Sequence, residues 1–171
     1  MKIGSRGFNA SSLESLDLAS LFSLTLLQVG DECFKCVKDV RLIGMTALQR
    51  VVIGKGSFTQ YGCSSPIGSD ARRHFAMKNC PDVREVAIGC YSFSDYTVCE
   101  ITDVNELKSI AFGEKEEASF NFQYASLELD SCLVVRHSEI GLQSLESLLV
   151  GKRSFQYCHH FTLKRNGSRR E

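Results

Sequence analysis

An apolar residue and a glycine, followed a few positions later by phenylalanine, recur along the whole chain. The occurrences are Ile3-Gly4…Phe8, Val29-Gly30…Phe34, Ile53-Gly54…Phe58, Ile88-Gly89…Phe93, Phe112-Gly113…Phe120 and Val150-Gly151…Phe155. A motif with a period of about two dozen residues marks a repeat architecture, in which a single unit cannot bury its own apolar edge and must stack on neighbours. The same feature bounds what the chain says about function, because a stacked array displays a surface without naming what the surface meets.

Aligned on glycine, the best-matched units are 48–58, 83–93 and 145–155, which share the pattern L-x-x-I-x-I-G-x-x-S-F. The unit from Leu107 to Gly113 fits, then carries extra residues 114–118 before Ser119-Phe120, and an earlier unit ends in Cys33-Phe34. A second motif, an apolar-x-apolar triplet, lies between these: Leu16-x-Leu18, Val40-x-Leu42, Phe75-x-Met77, Cys99-x-Ile101, Leu127-x-Leu129 and Phe161-x-Leu163. The step from Leu18 to Leu24 is repeated from Leu42 to Leu48, Met77 to Val83 and Ile101 to Leu107, so the two motifs hold register. Both have the two-residue period of strands, and the spaces between them are too short for long helices.

Each unit therefore reads as two short strands joined by tight corners, with glycine at one corner and phenylalanine plugging the interior. The expected fold is mainly β, a curved solenoid of about six short coils forming a single repeat domain over residues 1–171. Two insertions interrupt the period, 59–74 and 130–141, and a basic tail occupies 164–171. The first insertion reads as a loop, and the second contains Cys132-Leu133-Val134-Val135, which is expected to form a brief strand of its own. Insertions of this kind are either binding edges or drifting surface loops.

The pattern resembles that of the leucine-rich repeats, and within them the BspA-type branch, in which a glycine and then a Ser/Ala-Phe plug follow the strand. The residues that carry the resemblance are Leu48-x-x-Val51-x-Ile53-Gly54-x-x-Ser57-Phe58 and Asn79-x-Pro81-x-Val83-x-x-Val86-x-Ile88-Gly89, and it extends from Ile3 to Leu163. The asparagine that ladders through many such repeats is missing, its place being taken by Gly56, Tyr91 and Arg153, so the second side of each coil should be a short strand. The resemblance implies a curved scaffold for protein–protein contact and brings no catalytic residues.

Charge excludes some classes. Lys plus Arg and Asp plus Glu number 20 each, so no global field draws in nucleic acid or an anionic membrane. No apolar run has the length of a membrane span. Lys2 and Arg6 precede the leucine-rich run 18–27, but Glu14 and Asp17 interrupt it and no cleavage site follows, so the chain reads as leaderless.

The chemistry-bearing residues are sparse. Cys33-Phe34-Lys35-Cys36 is a CxxC, yet its phenylalanine is the repeat's plug and no second CxxC completes a zinc site. The eight cysteines occupy different registers, so they read as reduced thiols packed as small hydrophobes, with no metal or other cofactor expected. That places the chain in the cytoplasm, or outside the cell if a leader is missing from this sequence. His74, His137, His159 and His160 form no recognisable catalytic arrangement and read as surface residues, as do Arg72-Arg73-His74. Asn9-Ala10-Ser11 and Asn166-Gly167-Ser168 are glycosylation acceptors only if the chain is secreted.

The expected function is non-enzymatic binding of another protein. In each L-x-x-I-x-I strand the residues flanking the second aliphatic point away from the core. Stacking builds one outward column of Leu26, Arg50, Glu85, Ser109 and Ser147, and a second of Gln28, Val52, Ala87, Ala111 and Leu149. Gln28, Arg50, Val52, Glu85, Ala87, Ala111 and Leu149 are therefore the candidate contact residues of a concave face. Small side chains relieving crowding there would give the same pattern. The rival function is a structural slice of a longer array, with weak self-association through uncapped ends.

Overall fold

The computed structural model describes residues 1–60, 72–130, 133–135, 138–140 and 145–164 of the 171. Every regular element among them is a strand, and no helix is long and apolar enough to cross a membrane. Strands β1 (Lys2–Ile3), β3 (Leu26–Val29), β5 (Arg50–Ile53), β7 (Glu85–Ile88), β9 (Ser109–Phe112) and β13 (Ser147–Val150) form one parallel six-stranded sheet in that order. The alternate strands β2 (Ser15–Asp17), β4 (Asp39–Ile43), β6 (His74–Lys78), β8 (Val98–Thr102), β10 (Ser126–Asp130) and β14 (Phe161–Lys164) form a second parallel sheet, also of six. The chain thus crosses from one sheet to the other and back in each unit, a mainly-β, repeat-like fold.

Register follows the apolar alternation. In the first sheet Val51 pairs with Val86 and Ile53 with Ile88. In the second, Val40, Phe75, Cys99, Leu127 and Phe161 fall in one column. Inward-facing residues of both sheets meet in a single apolar cluster, where Val51, Met77, Cys99 and Leu127 are fully buried.

A ladder of phenylalanines runs through this core. Successive rings stack from Phe8 to Phe34, Phe58, Phe93, Phe122 and Phe155, with centroids 5.1, 4.9, 4.7, 4.9 and 5.5 Å apart. The fifth plug is Phe122, which corrects the expectation for Phe120. The latter sits outside the core, stacked on Tyr91 at 5.5 Å. All six plugs have positive φ, between 47° and 58°. A bulky residue in the left-handed region is strained, and here the ring stack and the hydrogen bonds of the corner hold it there.

Beside the rings runs a polar ladder. Ser57 Oγ donates to the Gly30 carbonyl at 2.8 Å, Ser92 Oγ to Gly54 at 2.6 Å, and Asn121 Nδ2 to Gly89 at 2.7 Å. Cys33 Sγ makes the equivalent contact to Gly4, at 3.1 Å. At Phe34, Phe58, Phe93 and Phe122 the residue before the plug therefore ties its corner to the glycine of the preceding unit, whereas Ser154, before Phe155, meets Asn121 Oδ1. Gly30, Gly54 and Gly89 are required by close stacking: a Cβ on Gly89 would lie 2.8 Å from the Gly54 carbonyl carbon, and one on Gly30 2.6 Å from the Ser5 nitrogen. The opposite corner also turns through left-handed residues, Gly44, Asn79 and Asp103.

The insertion boundaries shift. Residues 61–71 of the first insertion lie outside the described residues, and its last residue, His74, opens β6. In the second, Asp130 closes β10, while β11 (Leu133–Val135) and β12 (Ser138–Ile140) pair antiparallel as a small two-stranded sheet. Lys164 of the tail ends β14, and 165–171 lie outside the described residues.

Candidate functional site

The outer face of the first sheet carries the two columns in strict register. Leu26, Arg50, Glu85, Ser109 and Ser147 align across β3, β5, β7, β9 and β13, as do Gln28, Val52, Ala87, Ala111 and Leu149. Alternation puts them outside because Val51, Val86 and Ile110 between them are buried. Arg50 Nη2 lies 2.9 Å from Glu85 Oε1, a cross-strand ion pair with both groups exposed. Such a pair contributes under about 1 kcal/mol. Val52, Ala87, Ala111 and Leu149 are half-buried, which leaves a strip of low relief with a charged border on one side.

The outer face of the second sheet is different in kind. Glu100 in β8 meets two side chains of β6, Lys78 Nζ at 2.7 Å and His74 Nε2 at 2.9 Å. Burial pushes the Glu100 carboxyl up, but hydrogen bonds from Lys78 and His74 outweigh it and hold the group below its ordinary range. Arg41 pairs with Asp39 at 2.8 Å and Lys38 with Glu14 at 2.7 Å on the same side. His74 is thus a strand residue within an ionic network, not the loop histidine expected from sequence.

Arg73 departs further from expectation. Read as a solvated loop residue, it is 4% exposed, and its guanidinium lies 3.2 Å from Asp95 Oδ2 and over the Tyr96 ring. Its Nη2 also donates to Gln60 Oε1 at 2.6 Å, while Thr59 Oγ1 and Ser94 Oγ are 2.5 Å apart beside it. Burial raises the Asp95 carboxyl above its ordinary range, and Arg73 draws it back only in part. One oxygen of Asp95 and one nitrogen of Arg73 make no hydrogen bond. Gln60 N–H also donates to Asp95 Oδ2 at 3.2 Å, so the pair ties Gln60 and Arg73 together and reads as an anchor.

The described cysteines, 33, 36, 80, 90, 99 and 158, are free thiols. Cys33 and Cys36 donate to different carbonyls, Gly4 at 3.1 Å and Asn9 at 3.6 Å. One group of donors went unnoticed in the sequence: Cys90 Sγ and the carboxylates of Glu114 and Glu117 lie within 4.8 Å of one another. Lys55 Nζ, 3.7 Å from Glu117, would compete with any cation there. His160 Nε2 sits 2.7 Å from Thr162 Oγ1, and His137 lies outside the described residues. Of the two glycosylation acceptors, Asn9 has its side chain engaged, donating to the Glu32 carbonyl and accepting from Lys35 N–H, both at 2.9 Å. Asn166 lies outside the described residues.

Comparison with known proteins leaves this geometry to speak for itself: no family model, no curated protein and no solved structure matches the chain.

Proposed function

We propose that the chain is a curved, leucine-rich-repeat-like solenoid of the BspA type that binds another protein, without catalysis, on the outer face of the first sheet. One observation carries the reading: Val52, Ala87, Ala111 and Leu149 form an in-register, low-relief apolar strip bordered by the Arg50–Glu85 pair. The outer face of the second sheet is by contrast occupied by ion pairs. Interfaces are depleted of charge at their centre and polar at their rim, and the first face fits that division. Relief of crowding explains small residues in the strip but leaves the contrast between the two sheets unaddressed.

The test is the double variant Ala87→Arg/Ala111→Glu. Both residues face outward, so circular dichroism and the unfolding midpoint should match the parent, while a partner recovered by affinity capture is lost. Capture at undiminished affinity removes the strip from consideration.

A second reading, a slice of a longer or self-assembled array, is favoured by the two end strands. Leu148 and Val150 are 39% and 44% exposed, although their column neighbours Ile110 and Phe112 are at most 1% exposed. Phe161 and Leu163 are 54% and 49% exposed beside the fully buried Leu127 and Leu129. At the other end Phe8 is 59% exposed. Stacking one copy's β13–β14 end on another's β1–β2 end would continue every column, a heterologous contact that grows head to tail. Sedimentation over a concentration series should show association that Phe161→Asp suppresses. A parent chain that stays monomeric throughout sinks this reading.

A further inference from the structure

At the corner following each strand of the first sheet, a second left-handed residue precedes the plug by two positions: Arg6, Glu32, Gly56, Tyr91, Phe120 and Arg153, with φ from 50° to 65°. Neighbours in this column touch. Arg6 Nε lies 3.6 Å from Glu32 Oε2, Tyr91 stacks on Phe120 at 5.5 Å, and the Arg153 guanidinium covers Phe120 at 5.2 Å. Gly56 breaks the series. With strands spaced about 4.8 Å, Glu32 and Tyr91 stand roughly 9–10 Å apart, which leaves room for one planar group. A Cβ on Gly56 would meet only Glu32 Cγ, at 3.8 Å. The resulting groove has a volume of about 380 Å³, with Gly56 in its lining beside Asp31, Glu32, Lys35, Lys55 and Tyr91.

Each wall already attracts a cation from the flank. Lys35 Nζ is 3.3 Å from Glu32 Oε2, and Lys55 Nζ lies 5.5 Å from the Tyr91 ring centre. The Lys35 and Lys55 side chains are 43% and 59% exposed, and ion pairs at such sites contribute little, so displacing them costs little. A guanidinium can serve both walls at once, its edge paired to the carboxylate and its face on the ring. The column contains both halves of that arrangement, Arg6 against Glu32 and Arg153 against Phe120. An ammonium lacks the flat face, and a neutral planar group lacks the charge.

We propose that the notch at Gly56 binds an arginine side chain presented by another polypeptide, which rests on the protein-binding reading and extends it from the sheet face to the adjoining corner. The probe is N-acetyl-arginine-N′-methylamide, titrated into isotope-labelled protein and followed by amide chemical shifts. Shifts should centre on Glu32, Lys55, Gly56 and Tyr91, with the lysine and citrulline analogues about tenfold weaker, as loss of a charge-assisted or stacking contact entails. Gly56→Arg fills the notch at a φ that Arg6 and Arg153 already adopt, so the variant should fold and the shifts should vanish. Glu32→Gln should weaken the arginine probe and leave the citrulline one unchanged.

Equal binding of citrulline and arginine, shifts scattered over other acidic residues such as Glu14 and Glu146, or binding that survives Gly56→Arg would each overturn the proposal. Free arginine binding more tightly than the blocked form would assign the notch to the amino acid and overturn its polypeptide part. Ala87→Arg/Ala111→Glu should leave the titration unchanged, so failure of the sheet-face reading is seen separately from failure of the notch.

Discussion

Ser92 Oγ donates to the carbonyl of Gly54, one unit back in the stack, at 2.6 Å. The same oxygen accepts the Ser57 N–H at 3.0 Å, so one buried hydroxyl fixes two backbone groups of a neighbouring corner. Ser92→Ala strands both of them away from water and should cost about 1–3 kcal/mol. Ser92→Cys should recover part of this, because Cys33 occupies the equivalent position with its thiol on Gly4. Urea unfolding of the two variants checks the order. An alanine variant as stable as the parent would show that the polar ladder is incidental.

Two phenylalanines two residues apart give a sharp contrast. Phe122 is fully buried in the ring stack, while Phe120 lies on the surface between Tyr91 and Arg153. Phe122→Ala should destabilise by about 3–5 kcal/mol through the cavity it leaves. Phe120→Ala should cost under about 1 kcal/mol, since a half-exposed stack loses little on truncation. Thermal or denaturant midpoints decide it, and the reverse order would restore Phe120 as the plug.

The Arg73–Asp95 pair should be strongly non-additive. Removing either partner leaves an uncompensated buried charge and is expected to cost about 3–5 kcal/mol. The double variant Arg73→Met/Asp95→Leu should cost far less than the sum of the singles. A double-mutant cycle by equilibrium unfolding measures the coupling. Simple additivity would mean that the two groups do not sense each other.

Glu100 should leave a signature in acid. Its folded-state carboxyl is held below the ordinary value of 4.5 by Lys78 and His74 against the opposing pull of burial. The unfolded chain therefore takes up its proton first as pH falls, and the associated stability, complete above 4.5, is lost as pH drops through the lower folded value. Glu100→Gln has no such proton to take up. Its stability should fall less steeply than the parent's below pH 4.5, and parallel acid limbs would refute the assignment.

The strand framework was legible in the sequence because side chains alternate faces, so a two-residue apolar period carries the register directly. Leu127, Cys99 and Phe75 stand opposite one another as their spacing implied. The outward columns followed from the same rule. The fifth plug was misplaced because the corner after Gly113 is longer than in the other units, and Ser119-Phe120 reproduces their Ser-Phe pair. Backbone conformation does not separate them, since each is left-handed; the second alone meets the ring of Phe93. The anchor of Arg73 and Asp95 was hidden for a different reason. Burial of a charged residue is a property of its partner, and the partner lies on another corner. The His74–Glu100–Lys78 group and the notch at Gly56 needed two strands or three units at once, and no single stretch of chain carries that information.

The hydrogen bond from Cys33 N–H to Ser57 Oγ spans 24 residues of chain, and the one from Ser57 N–H to Ser92 Oγ spans 35, yet both measure 3.0 Å. Contour length and pitch are therefore uncoupled at the corner after Phe58. A gene for this protein can gain or lose codons there without retuning the strands on either side. Novelty has a port of entry in such an object, and the stack keeps its spacing whatever is admitted.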